Sequence, residues 1–187
     1  MENEQGQISY WQSVIVGALF TALVIFVIAL ISGYMTINAE PTGSIISAGQ
    51  LIGVLSCLIG AFGGIISTRH YAKTYNITFT IGKGAMIGLY TGLIAALISA
   101  ILSQLWTFVD PGYVQGIIDS TVANMEAMTN IPEAQKTQII EDTTTKLKDQ
   151  FASLSGILIG SAISMATFGF LNLLTGMIGA KIFASED

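Results

Sequence analysis

The chain has 187 residues, of which 52% are hydrophobic and only 10% charged, with 7 Lys+Arg against 12 Asp+Glu and a formal net charge of −5. A soluble domain carries roughly 25% charged residues, so the polar surface is too small to cover a globule in water, and soluble enzymes and disordered tails are excluded together. The negative balance also argues against nucleic acid, which demands a basic footprint.

No charged residue lies between Glu4 and Glu40, Glu40 and Arg69, Lys83 and Asp110, or Asp149 and Lys181. Each interval can supply the ~20 apolar residues that a helix needs to cross a ~30 Å hydrocarbon core. The sequence therefore predicts an all-α fold, a four-span transmembrane helical bundle forming one integral membrane domain over 1–187. The start, Met-Glu-Asn-Glu, has no basic n-region and the first apolar run is too long for a signal h-region. The first helix is expected to be retained as a span.

That span covers about 11–34, with Tyr10, Trp11 and Tyr34 at its ends, where amphipathic rings suit the two interfaces. The turn Asn38-Ala39-Glu40-Pro41-Thr42-Gly43 reads as a connection between antiparallel neighbours. A second span covers about 44–67 and is expected to stop at Arg69. Cys57, the single cysteine, sits inside its apolar run and reads as a small hydrophobe. The third span covers about 84–109 and the fourth about 151–180. At 1.5 Å per residue even the shorter spans reach ~35 Å.

Lys and Arg set the orientation. With four spans, Arg69, Lys73, Lys83 and Lys181 share one side, close to span ends, while Lys136, Lys146 and Lys148 lie in the long third connection. The expectation is a bacterial inner-membrane protein with both termini in the cytoplasm.

The connection 110–150 carries helical periodicity of its own. Asp110 followed by Pro111 is a helix-start signal, a capping carboxylate and a residue without the N–H that a first turn leaves unsatisfied. Val114, Ile117, Ile118, Val122, Met125 and Met128 share one helical face. Asn130-Ile131-Pro132 breaks that helix and Pro132-Glu133 opens another. Ile139, Ile140, Thr143, Leu147, Phe151 and Leu154 then carry an apolar stripe into the fourth span. The pattern predicts an extracytoplasmic helical hairpin. Its stripe would meet the other arm and the top of the bundle, a partner protein, or the membrane surface; the acid-rich polar face disfavours the last.

Small residues form the strongest pattern within the spans. Gly84, Gly88 and Gly92 recur every four positions, continued by Ala96 and Ala100, and Gly156, Gly160 and Ser164 repeat it in the fourth span. Helices in lipid associate through close backbone approach, so these stripes predict packing of the third span on the fourth, or a homodimer face. Ionisable groups inside a membrane are the usual pointers to transport, and none lies between span ends. The intramembrane polar groups are Gln50, Gln104 and Asn172. Each is expected to hydrogen-bond between helices, Gln50 and Gln104 with each other. Gly63-Gly64 is the one candidate for a broken helix of the kind transporters use.

His70 is the sole histidine and reads as an interface residue. Gly82-Lys83-Gly84 lacks the rest of a phosphate loop. Asn76-Ile77-Thr78 is a glycosylation sequon placed on the cytoplasmic side. Gly17–Leu23 and Gly88–Leu93 are similar enough to raise a duplication of helical pairs. No Ser-His-Asp, Cys-His, paired-carboxylate or H-E-x-x-H arrangement is present, so neither enzymatic activity nor a metal or cofactor is expected.

Three stretches carry a family likeness: Arg69-His70-Tyr71 leading through Phe79-Thr80-Ile81-Gly82-Lys83-Gly84-Ala85, the span end Phe108-Val109-Asp110-Pro111, and the Met- and acid-containing hairpin. In these the chain resembles the uncharacterised integral membrane proteins grouped as domain-of-unknown-function family forty-one ninety-nine, common in Bacteroidota. The resemblance implies a multi-pass membrane protein and carries over no activity or site residue. The functional expectation is a non-enzymatic protein acting through contacts with a membrane-protein partner or its own copies, in an accessory or assembly role. The alternative is a small oligomeric channel or transporter for a neutral solute.

Overall fold

The computed structural model describes residues 8–44 and 48–184, with the side chains of Ala48 and Gln50 also outside the description. Seven helices follow one another among the described residues: α1 (Trp11–Ile37), α2 (Ala48–Gly60), α3 (Gly63–Tyr75), α4 (Ile81–Val109), α5 (Tyr113–Glu126), α6 (Glu133–Ala152) and α7 (Leu154–Phe183). No strand occurs among the described residues. Among the described residues, four stretches are long and apolar enough to cross a membrane: Trp11–Ile37, Leu51–Tyr75, Ile81–Val109 and Leu154–Phe183.

The second of these does not end at Arg69 as expected, and it is broken beside Gly63-Gly64, the one place the sequence offered for a break. It is interrupted at Ala61-Phe62, between α2 and α3, and then runs through Arg69 and His70 to Tyr75. A cation near a span end snorkels to water, so Arg69 gives the backbone no reason to stop. The stop is conformational. Asn76 takes φ 48°, and the N–H groups of Asn76 and Ile77 both return to the Ala72 carbonyl, a left-handed cap that asparagine tolerates.

The helices contribute to two compact units. The first comprises the chain up to Ile25, Cys57–Ser99 and the chain from Ser164 onward. Beside Val14, Tyr71 and Ile87 its interior holds many small or polar residues: Ser13, Ala18, Ala22, Ser67, Thr68, Thr91, Ala95 and Asn172 are all fully buried. Two of the hydroxyls are satisfied one turn back, Thr68 Oγ1 donating to the Gly64 carbonyl (2.7 Å) and Thr91 Oγ1 to the Ile87 carbonyl (2.8 Å). The outside carries the large apolar side chains, among them Leu19, Phe20, Leu23, Phe62, Phe170 and Ile182, each more than half exposed. Water-soluble proteins place such residues inside and keep large apolar patches off the surface. This inversion fits a unit whose surrounding solvent is hydrocarbon.

The second unit comprises Phe26–Ser56 and Ala100–Ile163. Here α6 packs on α5, and the loop between them is closed by Lys136, whose Nζ donates to the carbonyl of Glu126 (3.2 Å) and to Glu133 Oε1 (2.7 Å). A cation at the last carbonyls of a helix is favourable. The helix α5 is fastened to the chain before it. Ser120 Oγ donates to the Ile37 carbonyl (3.1 Å), Asn124 Oδ1 accepts from the N–H groups of Thr42 and Gly43 (3.1 Å each), and Asn124 Nδ2 donates to the Ser44 carbonyl (2.8 Å). The apolar stripe of α5 is thus turned inward, with Ile118 buried.

Two further boundaries depart from the sequence pattern. Asp110-Pro111 does not open α5, which starts at Tyr113 with Gly112 in the cap position and no side-chain cap bond. The stripe from Ile139 to Leu154 does not run unbroken into the fourth span, because Ser153 is extended (φ −89°, ψ 141°). Its Oγ accepts from the Gly156 N–H (3.0 Å) and starts α7 as an N-cap.

Candidate functional site

The interruption of the second span holds the densest polar arrangement of the first unit. In an unbroken helix the Gly64 N–H would meet the Gly60 carbonyl four residues back. Here the Asn172 amide is spliced between them. Its Nδ2 donates to the Gly60 carbonyl (3.1 Å) and also to the Phe168 carbonyl (2.9 Å), while its Oδ1 accepts from the Gly64 N–H (2.6 Å). One turn further along α7, Thr175 Oγ1 donates to the next freed carbonyl, that of Ala61. Side-chain insertion into the helical ladder is a recognised cause of breaks, and in an apolar solvent every freed backbone group needs such a partner. Asparagine suits the position because its amide offers both donors and an acceptor.

Glycines let the two backbones meet. A Cβ on Gly63 would stand 2.5 Å from Thr21 Oγ1 and 2.7 Å from Asn172 Oδ1, and one on Gly64 would strike Thr175 Oγ1 (2.6 Å) and the Gly176 nitrogen (2.7 Å). Thr21 is 3% exposed, and its Oγ1 is the one buried side-chain polar atom among the described residues with no hydrogen-bond partner.

The predicted small-residue stripes separate. Gly84, Gly88 and Gly92 all lie against α7: a Cβ on Gly84 would meet the Gly176 carbonyl oxygen (2.6 Å), one on Gly88 the Asn172 carbonyl, and one on Gly92 the Phe168 carbonyl. The reciprocal residue on α7 is Gly176, against Gly84 and Gly88. Gly156 and Gly160 do not serve that contact. Gly156 sits in the first turn of α7, where a Cβ would strike the Asp149 carbonyl and Gln150 Cα (2.9 Å), and Gly160 has nothing within 4 Å. Spacing placed them on one face, but among the described residues Gly156 meets the end of α6 and Gly160 meets nothing.

Of the other polar residues singled out in the spans, the Gln50 side chain lies outside the described residues. Gln104 is half-buried, and its backbone carbonyl accepts from Thr107 Oγ1 (2.7 Å). Asp110 belongs to a separate cluster in the second unit. Its Oδ2 accepts from Tyr34 OH (2.6 Å) and its Oδ1 from the Gly112 N–H (3.1 Å), while Trp106 Nε1 donates to Tyr34 OH (3.2 Å). The Tyr113 ring stands edge-on to Tyr34 with centroids 5.2 Å apart. Burial pushes the Tyr113 phenol up, with the neighbouring Tyr34 and Asp110 adding to the shift. Pro111 lies in the turn beside Asp110. The pair therefore works as a junction between α4 and α5.

What the arrangement can do follows from its composition. It offers amide, hydroxyl and carbonyl groups without a charge, and among the described residues no three His, Cys, Asp or Glu side chains gather as a metal site would require. The profile of a family described as protein of unknown function, DUF4199, matches residues 19–185. The chain belongs to that family. No curated protein and no solved structure matches it. The DUF4199 match spans the interruption, the glycine contacts and the hairpin alike. Within this DUF4199 chain, sequence reasoning singled out Asn172 and Gly63-Gly64 separately but missed their pairing, together with Thr21, Thr175 and Gly176. The available signal was the run Gly169, Asn172, Thr175, Gly176 and Gly179, which puts every small or polar residue of that stretch of α7 on one side.

Proposed function

We propose that this is a multi-pass protein of the bacterial inner membrane, with both termini in the cytoplasm, that works through protein contacts made by its extracytoplasmic hairpin. The observation that carries the reading is the way the hairpin is held. Asn124, Ser120 and Lys136 fix α5 and the start of α6, while α6 leaves Glu141, Asp142, Lys146, Lys148 and Asp149 exposed along its outer side, with Ile139 41% exposed among them. A fixed helix that presents a mixed-charge face around an exposed Ile139 offers charge complementarity to another polypeptide, which sets specificity and encounter rate. The partner is a membrane protein or a second copy, and the role is accessory or assembly, with no chemistry and no cofactor of its own; nucleic acid is not a partner. The test is a photo-crosslinking residue at position 139, with one at 158 on the apolar face of α7 as control, followed by isolation from native membranes. A discrete adduct from position 139 alone supports the reading, and none from 139 contradicts it.

A second reading, passage of a neutral solute, is favoured by one observation, the interrupted span. Membrane transporters build solute sites at broken helices, and the groups around this break are uncharged. Flux of small polyols and amides into vesicles holding the purified chain, lost in Asn172→Leu, would favour it.

A further inference from the structure

We infer that the outer face of α6 pairs with the same face of a second copy of this chain, the two helices antiparallel about a two-fold axis at Thr145. The inference rests on the reading of the hairpin as a contact surface and names what that surface meets. Lys136, Ile140, Thr143, Thr144 and Leu147 make the covered side of α6, whereas Glu141, Asp142, Thr145, Lys146, Lys148 and Asp149 are exposed. None of these five exposed charges has an ion-pair partner among the described residues. Their order along the helix selects the occupant. Glu141 and Lys148, seven residues apart, share one flank of the exposed face, and Asp142 and Lys146, four apart, share the other. On each flank the acid precedes the base. A two-fold axis perpendicular to the helix keeps the flank and reverses the order, so Glu141 of each copy meets Lys148 of the other, and Asp142 meets Lys146. Asp149 falls beyond both pairs, opposite Gln138. Parallel helices would instead set like charges together, a costly juxtaposition. Thr145 lies between the flanks, and its small side chain lets the helices approach.

The course of the chain permits this pairing within one bilayer. Two copies inserted the same way up are related by a two-fold axis along the membrane normal, so an antiparallel pair of helices must run parallel to the membrane. Ser153 provides that direction. A Cβ on Gly156 would meet the Asp149 carbonyl and stand 2.9 Å from Gln150 Cα, atoms that a straight helix would hold about 9–10 Å further back. The chain therefore doubles back at the extended Ser153, and α6 is bent off the line of the α7 segment that follows it. At the mouth of a span that direction runs along the bilayer rather than up from it.

The experiment is oxidative cross-linking of the full chain in its own membranes, on a Cys57→Ala background. A cysteine at Thr145, on the axis, is expected to give a covalent dimer. One at Gln138, equally exposed but about 20 Å from its mate in the antiparallel pair, is expected to give none. Adding Glu141→Lys to Thr145→Cys should lower the dimer yield about tenfold, and the charge swap Glu141→Lys/Lys148→Glu should restore it. All these positions are exposed, so the fold is not at stake. No dimer at 145, an equal yield at 138, or a swap that fails to rescue overturns the assignment. A photo-adduct from position 139 with a different protein, and no disulfide at 145, overturns this pairing while the contact reading stands. Absence of both overturns the two together.

Discussion

The carbonyl of Gly60 and the N–H of Gly64, four residues apart in what the sequence presents as one span, are both bonded to the side chain of Asn172. The amide replaces one rung of the helix and adds a bond to Phe168. Removing it strands two backbone groups in an apolar interior, each of which costs about 1–3 kcal/mol when left unmade. Asn172→Leu should therefore destabilise the chain by about 2–4 kcal/mol in reversible denaturation from lipid–detergent micelles. Asn172→Asp, which keeps the acceptor and loses the donors, should also destabilise it. Wild-type stability in both variants would show that the bonds contribute nothing.

Thr21 should respond with the opposite sign. Its hydroxyl is buried and unpartnered, so Thr21→Val removes a desolvated polar group at nearly constant volume. The same denaturation assay should show no loss and a gain of up to about 1 kcal/mol. A clear loss would mean that the hydroxyl has a bonded partner.

The glycine stripes also separate by sign. Gly88→Ala forces a methyl group onto the backbone carbonyl of Asn172 and should cost about 1–3 kcal/mol as overpacking. Gly160→Ala points into open space and should be neutral or stabilise the helix by about 0.5–1 kcal/mol. Similar losses at both positions would place a neighbour against Gly160 as well.

Alkaline pH should loosen the hairpin junction. Burial, then Tyr34 and Asp110, raise the Tyr113 phenol above its ordinary value of 10.0, so the folded state favours the neutral form. Its contribution is fully present below the ordinary phenol value and is lost as pH rises through the raised one. Ultraviolet titration should show one tyrosine, absent from Tyr113→Phe, that ionises above the free phenol and shifts down in Asp110→Asn. An unshifted Tyr113 would contradict this.

The four spans were legible because charge is confined to their ends, a property of composition that needs no knowledge of neighbours. The two helices of the connection were legible from their own periodicity, with Pro132 marking the turn between them. What could not be read depended on residues far apart in the chain. Asp110 accepts the Gly112 N–H through one oxygen, but its other oxygen is bonded by Tyr34, 76 residues earlier, which no local pattern announces. Gly160 shares the spacing of Gly88 and differs only in what stands opposite. Gly63-Gly64 marked the place of the break at Ala61-Phe62, but not its partner Asn172, whose bond to Gly64 closes a separation of 108 residues. Local pattern fixes which face a residue occupies, and tertiary contact decides what that face meets.

The most direct test of a chain that lives in lipid is cysteine labelling in membranes with an impermeant maleimide, on a Cys57→Ala background. Single cysteines are placed at Leu23 and Ile178, on the large apolar exterior, at Thr74 near the end of α3, and at Gln138 on α6. The expected result is no reaction at 23 or 178, reaction at 138 in intact spheroplasts, and reaction at 74 only after the membrane is opened. Ready labelling at 23 and 178 in unopened spheroplasts would contradict the membrane-spanning reading itself.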